Sequence, residues 1–202
     1  MLIERMTAKS RPLGVSLADY ACPIFATITA ARPGRQHCAM RTIAIIGSFK
    51  QHNEEIQDLC RALREAGITV TTPQGEDIVN AGHDFVRYGT DDPSLSDDAV
   101  QSLALHRILR ADLVYAVLPS GYIGRTTCYE VGRVVQARRP IYFSQRPNDL
   151  PIWVPDQFIL DRVTLLSRMT DPVWVPAWLF NDGTDGTSIL EQELIAGKLR
   201  DA

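Results

Sequence analysis

Three features of this 202-residue chain predict a doubly wound α/β fold, with a flavodoxin-like parallel sheet of about five strands flanked by helices. Short β-rich apolar runs alternate with stretches of helical periodicity. Apart from the threonines of the second, the runs are largely apolar, as strands covered on both faces must be, and the first three are closed by glycine or proline. Such alternation implies parallel strands joined by right-handed crossovers.

Thr42-Ile-Ala-Ile-Ile-Gly47 is the first of these strands. From Asn53 to Ala66 the apolar residues Ile56, Leu59, Cys60 and Leu63 recur at helical spacing, and Gly67 stands where a C-terminal cap belongs. Ile68 to Thr71 reads as a second strand, closed by Pro73 and Gly75. Gly75 to Ser96, rich in Gly, Asp, Asn and Pro, reads as a long loop with room for a short helix, and loops of this length usually carry function. Ser96, followed by Asp97 and Asp98, opens a helix whose apolar residues Val100, Leu103, Leu105, Ile108 and Leu109 run up to Arg110. Asp112 to Leu118 is the third strand, Thr127 to Arg138 a helix, and Pro140 to Phe143 the fourth strand. Beyond Ser144, prolines 147, 151, 155, 172 and 176 break up the chain, while Trp153, Trp174, Trp178 and Phe180 supply apolar area. A fifth strand is expected within Phe158 to Leu166 or within Val173 to Leu179, then a turn at Asp182 to Gly186 and a final short helix.

Hydrophobic residues make up 45% and charged residues 22% of the chain, an ordinary globular composition. A formal net charge of -3 provides no basic field to draw the protein to a nucleic acid polymer or an anionic membrane, so a small-molecule partner is expected. Cys22, Cys38, Cys60 and Cys128 form no C-x-x-C pair and no disulfide-dense pattern, and they read as reduced thiols in a cytoplasmic protein. No metal-ligand cluster accompanies them, and no cofactor is expected. Residues 1–40 carry Arg5, Lys9 and Arg11 ahead of a mildly apolar stretch, Leu13 to Ala31, in the manner of an export signal, but Asp19 and Pro23 interrupt it. They are read instead as a poorly ordered arm, a partner-contacting segment, or an extension upstream of a working start at Met40. The expected division is this arm, an α/β domain over 41–170 and a C-terminal extension over 171–202.

Ligands of open parallel sheets bind outside the carboxyl ends of the strands. Two segments there have the right chemistry. In Gly47-Ser48-Phe49 the glycine lets backbone approach a ligand, the serine offers a hydroxyl, and the phenylalanine faces either a base or the core. In Pro119-Ser-Gly-Tyr-Ile-Gly-Arg-Thr-Thr-Cys-Tyr-Glu130, Gly121 and Gly124 permit unusual backbone angles, while Thr126, Thr127 and the free amides of a helix start can receive a phosphate. Thr127-Cys-Tyr-Glu130 equally fits a capping box, which needs no function. Gly47-Ser48-Phe49 lacks the G-x-G-x-x-G spacing of a dinucleotide-binding dehydrogenase.

Gly121-Tyr122-Ile-Gly124-x-Thr126-Thr127-x-x-Glu130-Val-Gly132, preceded by Ala111-Asp112-Leu-Val and followed by Arg139-Pro140-Ile-Tyr, resembles the nucleoside 2-deoxyribosyltransferase superfamily, which includes nucleoside 5′-monophosphate N-glycosidases. With Gly47-Ser48-Phe49 the resemblance covers roughly half the chain, residues 41 to 145, and its most specific piece surrounds Glu130. It implies that Glu130 is the catalytic glutamate, which attacks the anomeric carbon as the base departs, and that the protein assembles as a homo-oligomer. It also implies an aspartate in the preceding helix to protonate the leaving base, but that position falls near Ala104. His106, close by, is the candidate replacement, since histidine is the residue type suited to proton transfer near neutral pH. Asp112 is carried as a further catalytic candidate, although a strand start suits holding a loop better than moving a proton. Asp77, Asp84, Asp91 and Asp92 lie in the long loop. The resulting expectation is cleavage or transfer at the N-glycosidic bond of a nucleoside or nucleoside 5′-monophosphate. The alternatives are an inactive nucleotide-binding or sensor module of the same fold, and a lysine-decarboxylase-like phosphoribohydrolase, whose Pro-Gly-Gly-x-Gly-Thr-x-x-Glu motif is only faintly echoed from Pro119 to Glu130, with the missing second glycine arguing against it.

Overall fold

The computed structural model describes residues 41–79, 86–182 and 186–199. Four parallel strands, β1 (Thr42–Gly47), β2 (Thr69–Thr72), β3 (Leu113–Val117) and β4 (Ile141–Phe143), lie in the order β2-β1-β3-β4. The joining helices are α1 (Phe49–Glu65), α2 (Asp97–Arg110) and α3 (Arg125–Gln136), and α4 (Arg162–Thr170) and α5 (Gly186–Ile195) follow the sheet. This is the flavodoxin-like order. Between β1 and β2 the chain steps one way across the sheet, and afterwards it steps the other way. Right-handed crossovers therefore set α1 on one face and α2 and α3 on the opposite one. The two central strands pair in continuous register from Ile43 opposite Leu113 to Gly47 opposite Val117.

Burial explains why the strands read so clearly. Ile43, Ala44, Ile45, Leu113, Val114, Ala116, Ile141 and Phe143 are wholly inaccessible, as strands covered on both faces require. On α1 the periodic residues Ile56, Leu59, Cys60 and Leu63 are buried, together with Gln57, and Gly67 takes the left-handed conformation, φ +79°, just past the helix end. The helix starts earlier than its apolar period does, at Phe49, with a kink at His52. Burial pushes the Cys60 thiol up to about 11, so this cysteine is a packing group.

The expected fifth strand is reduced to a single parallel bridge, Ile159 beside Phe143, with the Leu160 amide donating to the Phe143 carbonyl over 2.9 Å. Asp161 ends it at once by capping α4, its Oδ1 accepting from the Thr164 amide at 2.7 Å. In the other stretch considered, Val173 to Leu179, Pro172 and Pro176 hold an irregular path, and the chain packs by its aromatic rings. Trp174 lies against Tyr142, Trp178 against Phe180, and the Trp178 indole donates to the Val135 carbonyl at 3.1 Å. Leu179 and Phe180 thereby join the core that β4 and α3 build.

The long loop after β2 holds no helix among its described residues. An antiparallel bridge between Ile78 and Tyr88 closes it, and Arg87 ties it to the start of α2 through Asp97 and the Leu95 carbonyl, both at 2.7 Å. No described helix is long and apolar enough to cross a membrane. Asp84, Cys22, Cys38 and the 1–40 arm lie outside the described residues.

Candidate active site

Crossovers diverge between β1 and β3, and at that point a crevice opens beyond the carboxyl ends of the strands. It is a cleft of about 700 Å³, walled by the turn after β1, the loop after β2, the inner face of α2 and the start of α3. Such a volume holds a nucleoside or nucleotide.

Gly47 must come close to its neighbour: a Cβ there would stand 2.6 Å from the Val117 carbonyl oxygen. The turn that follows presents Ser48 and Phe49 to the cleft. Phe49 meets Tyr88 edge-on, ring centroids 5.8 Å apart, so the phenylalanine packs on the loop and lines the cleft as well.

Gly124 is the N-cap of α3 and offers no side-chain cap. The amides of Gly124, Arg125, Thr126 and Thr127 therefore have no intrahelical partner, and all four residues line the cleft. Such a helix start attracts an anion. Thr127 is in the first turn instead of capping it, which removes the capping-box reading. Glu130 correspondingly lies in the second turn, not at the helix start. Helical side chains lean toward the N-terminus, which carries this carboxylate back into the cleft past Thr127.

Glu130 is only 6% exposed, and its Oε1 accepts a hydrogen bond from Gln101 Nε2 on α2 at 3.1 Å. Burial pushes its carboxyl up from 4.5 to about 7, with the Gln101 bond pulling the other way. Near neutrality the group thus stands between acid and carboxylate, where proton-transfer and nucleophilic groups work.

No family model matches the chain, and no curated protein matches it either. Among solved structures it is similar to a CMP N-glycosidase of Clostridium botulinum, BcmB. Identity is 19% over 51% of this chain and 70% of that one, with a TM-score of 0.34. A likeness of that size carries neither family nor reaction across.

Of the residues singled out in the sequence, Gly47, Ser48, Phe49, Tyr122, Gly124, Thr126, Thr127 and Glu130 line one cleft. Gly121, His106 and Asp112 do not. Gly121 is buried with φ +75°, its carbonyl accepts from the Asn148 amide at 3.0 Å, and a Cβ would meet the Arg146 carbonyl oxygen at 2.6 Å. It braces the loop after β3 against the loop after β4 and does not face a ligand. His106 is exposed on the side of α2 turned from the cleft, because it sits off the Gln101, Ala104, Ile108 face. Asp112 stands at the amino end of β3, where its Oδ2 accepts from the Thr42 amide and hydroxyl, each at 2.9 Å. A five-residue strand separates it by roughly 16 Å from the cleft end of the sheet.

Ala104, where the resemblance implies an aspartate, does line the cleft. The nearby acids are instead Asp98, one turn before Gln101, together with Asp97 and Asp91, and Asp91 accepts from the Tyr88 amide at 2.8 Å. Sequence reasoning passed over Gln101, Tyr88 and Arg107, all of which line the cleft. For Gln101 one signal existed: it shares the spacing of Ala104 and Ile108 and so belongs to the inward face of its helix. For Tyr88, deep in a loop without periodicity, there was none.

Proposed function

We propose that the protein cleaves or transfers at the N-glycosidic bond of a nucleoside or nucleoside 5′-monophosphate, with Glu130 as nucleophile. The observation that carries this reading is a carboxylate buried at the inner wall of a nucleotide-sized cleft, held through one oxygen by Gln101. Departure of the base leaves an oxocarbenium-like sugar. Oε2, which takes no hydrogen bond among the described residues, is the atom available to stabilise it or to form the glycosyl ester. Water or a second base then displaces the ester, with net retention of configuration. The amides of Gly124–Thr127 give a 5′-phosphate its site, and Ser48, Lys50 and Arg125 line the same cleft. Proton delivery to the base falls to the acids on the cleft wall, Asp98 foremost, since Ala104 has no proton to give.

The alanine at 104 also supports a second reading, a nucleotide-binding module of this fold without turnover. One experiment separates the two: nucleosides and their 5′-monophosphates are incubated with the protein, with and without a second base, and free base is measured. Base release without an acceptor makes it a hydrolase, and exchange only with an acceptor makes it a transferase. Tight binding without any release across the panel supports the binding module.

A further inference from the structure

We infer that Gln101 is a positioning residue whose side-chain amide sets both the ionisation and the direction of the Glu130 carboxylate. The inference rests on the proposed role of Glu130 and deepens it. Three observations carry it. Gln101 comes from a different crossover helix, so its amide fixes α2 to α3 across the cleft wall. The bond from Nε2 to Oε1, 3.1 Å, is the only hydrogen bond the carboxylate receives among the described residues. Both side chains line the cleft, and an oxygen held by Gln101 leaves the other directed at whatever the cleft contains.

A hydrogen bond donated to a buried carboxylate favours the ionised form, in opposition to burial, which favours the acid. The remaining charges around the cleft are poorly placed to do this. Asp91, Asp97 and Asp98 oppose Lys50, Arg107 and Arg125 in equal number. Asp97, Asp98, Lys50 and Arg125 are exposed, where water screens them. The phenols of Tyr88, Tyr122 and Tyr129 also face the cleft, and none hydrogen-bonds to Glu130.

The test uses Gln101→Met, which keeps length and removes the donor, and Gln101→Glu, which adds a like charge. Base release is followed from pH 5 to 9. Loss of a hydrogen bond to a charged group should move the rising limb of the rate upward by about one to two units in Gln101→Met. The rate then falls about 10- to 100-fold below the limb, recovers toward the unsubstituted rate at high pH, and leaves KM little changed. Gln101→Glu should move the limb at least as far. A loss that is uniform with pH, or a limb that stays in place in both variants, overturns the inference. The Glu130 carboxyl is titrated in parallel by carbon-detected NMR. That readout needs no turnover, so an upward shift in Gln101→Met supports the inference even if no substrate is cleaved, and an unmoved titration overturns it. Thermal melts confirm that each variant is folded before either readout.

Discussion

As the proposed nucleophile, Glu130 combines two demands that pull against each other. Burial shields a nucleophile from water, but it also raises the free energy of the charged form that the chemistry needs. Glu130→Gln keeps the shape and the contact with Gln101 but removes the charge and the nucleophilic oxygen. It should lower base release by at least ~100-fold with the fold intact by circular dichroism. Near-normal turnover would reject the nucleophile assignment. The pH dependence follows from the same burial. The folded protein holds the Glu130 proton up to about pH 7, whereas an exposed chain releases it near 4.5. This group's contribution to stability is therefore fully present below 4.5 and is lost as pH rises to about 7, beyond which it is flat. The loss amounts to a few kcal/mol. Urea unfolding at pH 5 and pH 8 should show Glu130→Gln gaining on the unsubstituted protein at the higher pH. Equal differences at both would mean that the carboxyl titrates normally. Base release should have the opposite slope, rising toward a plateau above about pH 7 as the carboxylate forms.

At the scale of elements, two walls of the cleft are one short turn and one helix start, each set by the strand before it. β1 ends in Gly47 pressed on Val117, and β3 hands over to a loop that Gly121 braces against Asn148. The amides of α3 are consequently presented at a fixed place, uncapped by any side chain. They should prefer a phosphorylated ligand. Calorimetry of a nucleoside against its 5′-monophosphate should show tighter binding of the latter, by about tenfold or more, since charge-assisted hydrogen bonds contribute ~1.5–3 kcal/mol. A Thr126→Val, Thr127→Val double variant should erode that preference. Thr127 is 2% exposed, so valine replaces it with little change in volume and the hydroxyl alone is tested. Equal affinities for the two ligands would remove the phosphate site.

At the scale of the whole molecule, every strand of the described sheet lies at or beyond Thr42. Arg41 already ties the amino end of β1 to the far segment, donating to the carbonyls of Arg168 at 3.0 Å and Trp174 at 2.6 Å. A chain beginning at Met40 is accordingly expected to fold and to bind ligand as the full chain does. Melting temperature and sedimentation compare the two. A large fall in melting temperature, insolubility or dissociation of an assembly would instead assign residues 1–39 a structural role, with Tyr20, Ile24 and Phe25 covering an apolar surface.

The apolar runs, their breakers and their alternation with helical periods determined the fold class and four strands from the sequence alone. These are local properties, because a parallel strand buried on both faces, as β1, β3 and β4 are, must be apolar at nearly every position. The Gly47-Ser48-Phe49 and Gly124 to Glu130 segments were legible for the same reason: connectivity puts both at the carboxyl ends of adjacent strands. Tertiary structure decided the rest. Whether Thr127 caps its helix depends on where backbone hydrogen bonding begins, which Gly124 settles. Whether His106 or Gln101 faces Glu130 depends on the rotation of α2 against the sheet, fixed by burial of Val100, Leu105 and Ile108. A fifth strand failed to extend because Asp161 caps a helix two residues beyond the bridge at Ile159. Asp112 looked chemical by residue type, but it spends both its backbone and its side chain on Thr42 at the wrong end of the sheet. Residue type states what a side chain can do, and only packing between distant segments brings it to where that can happen.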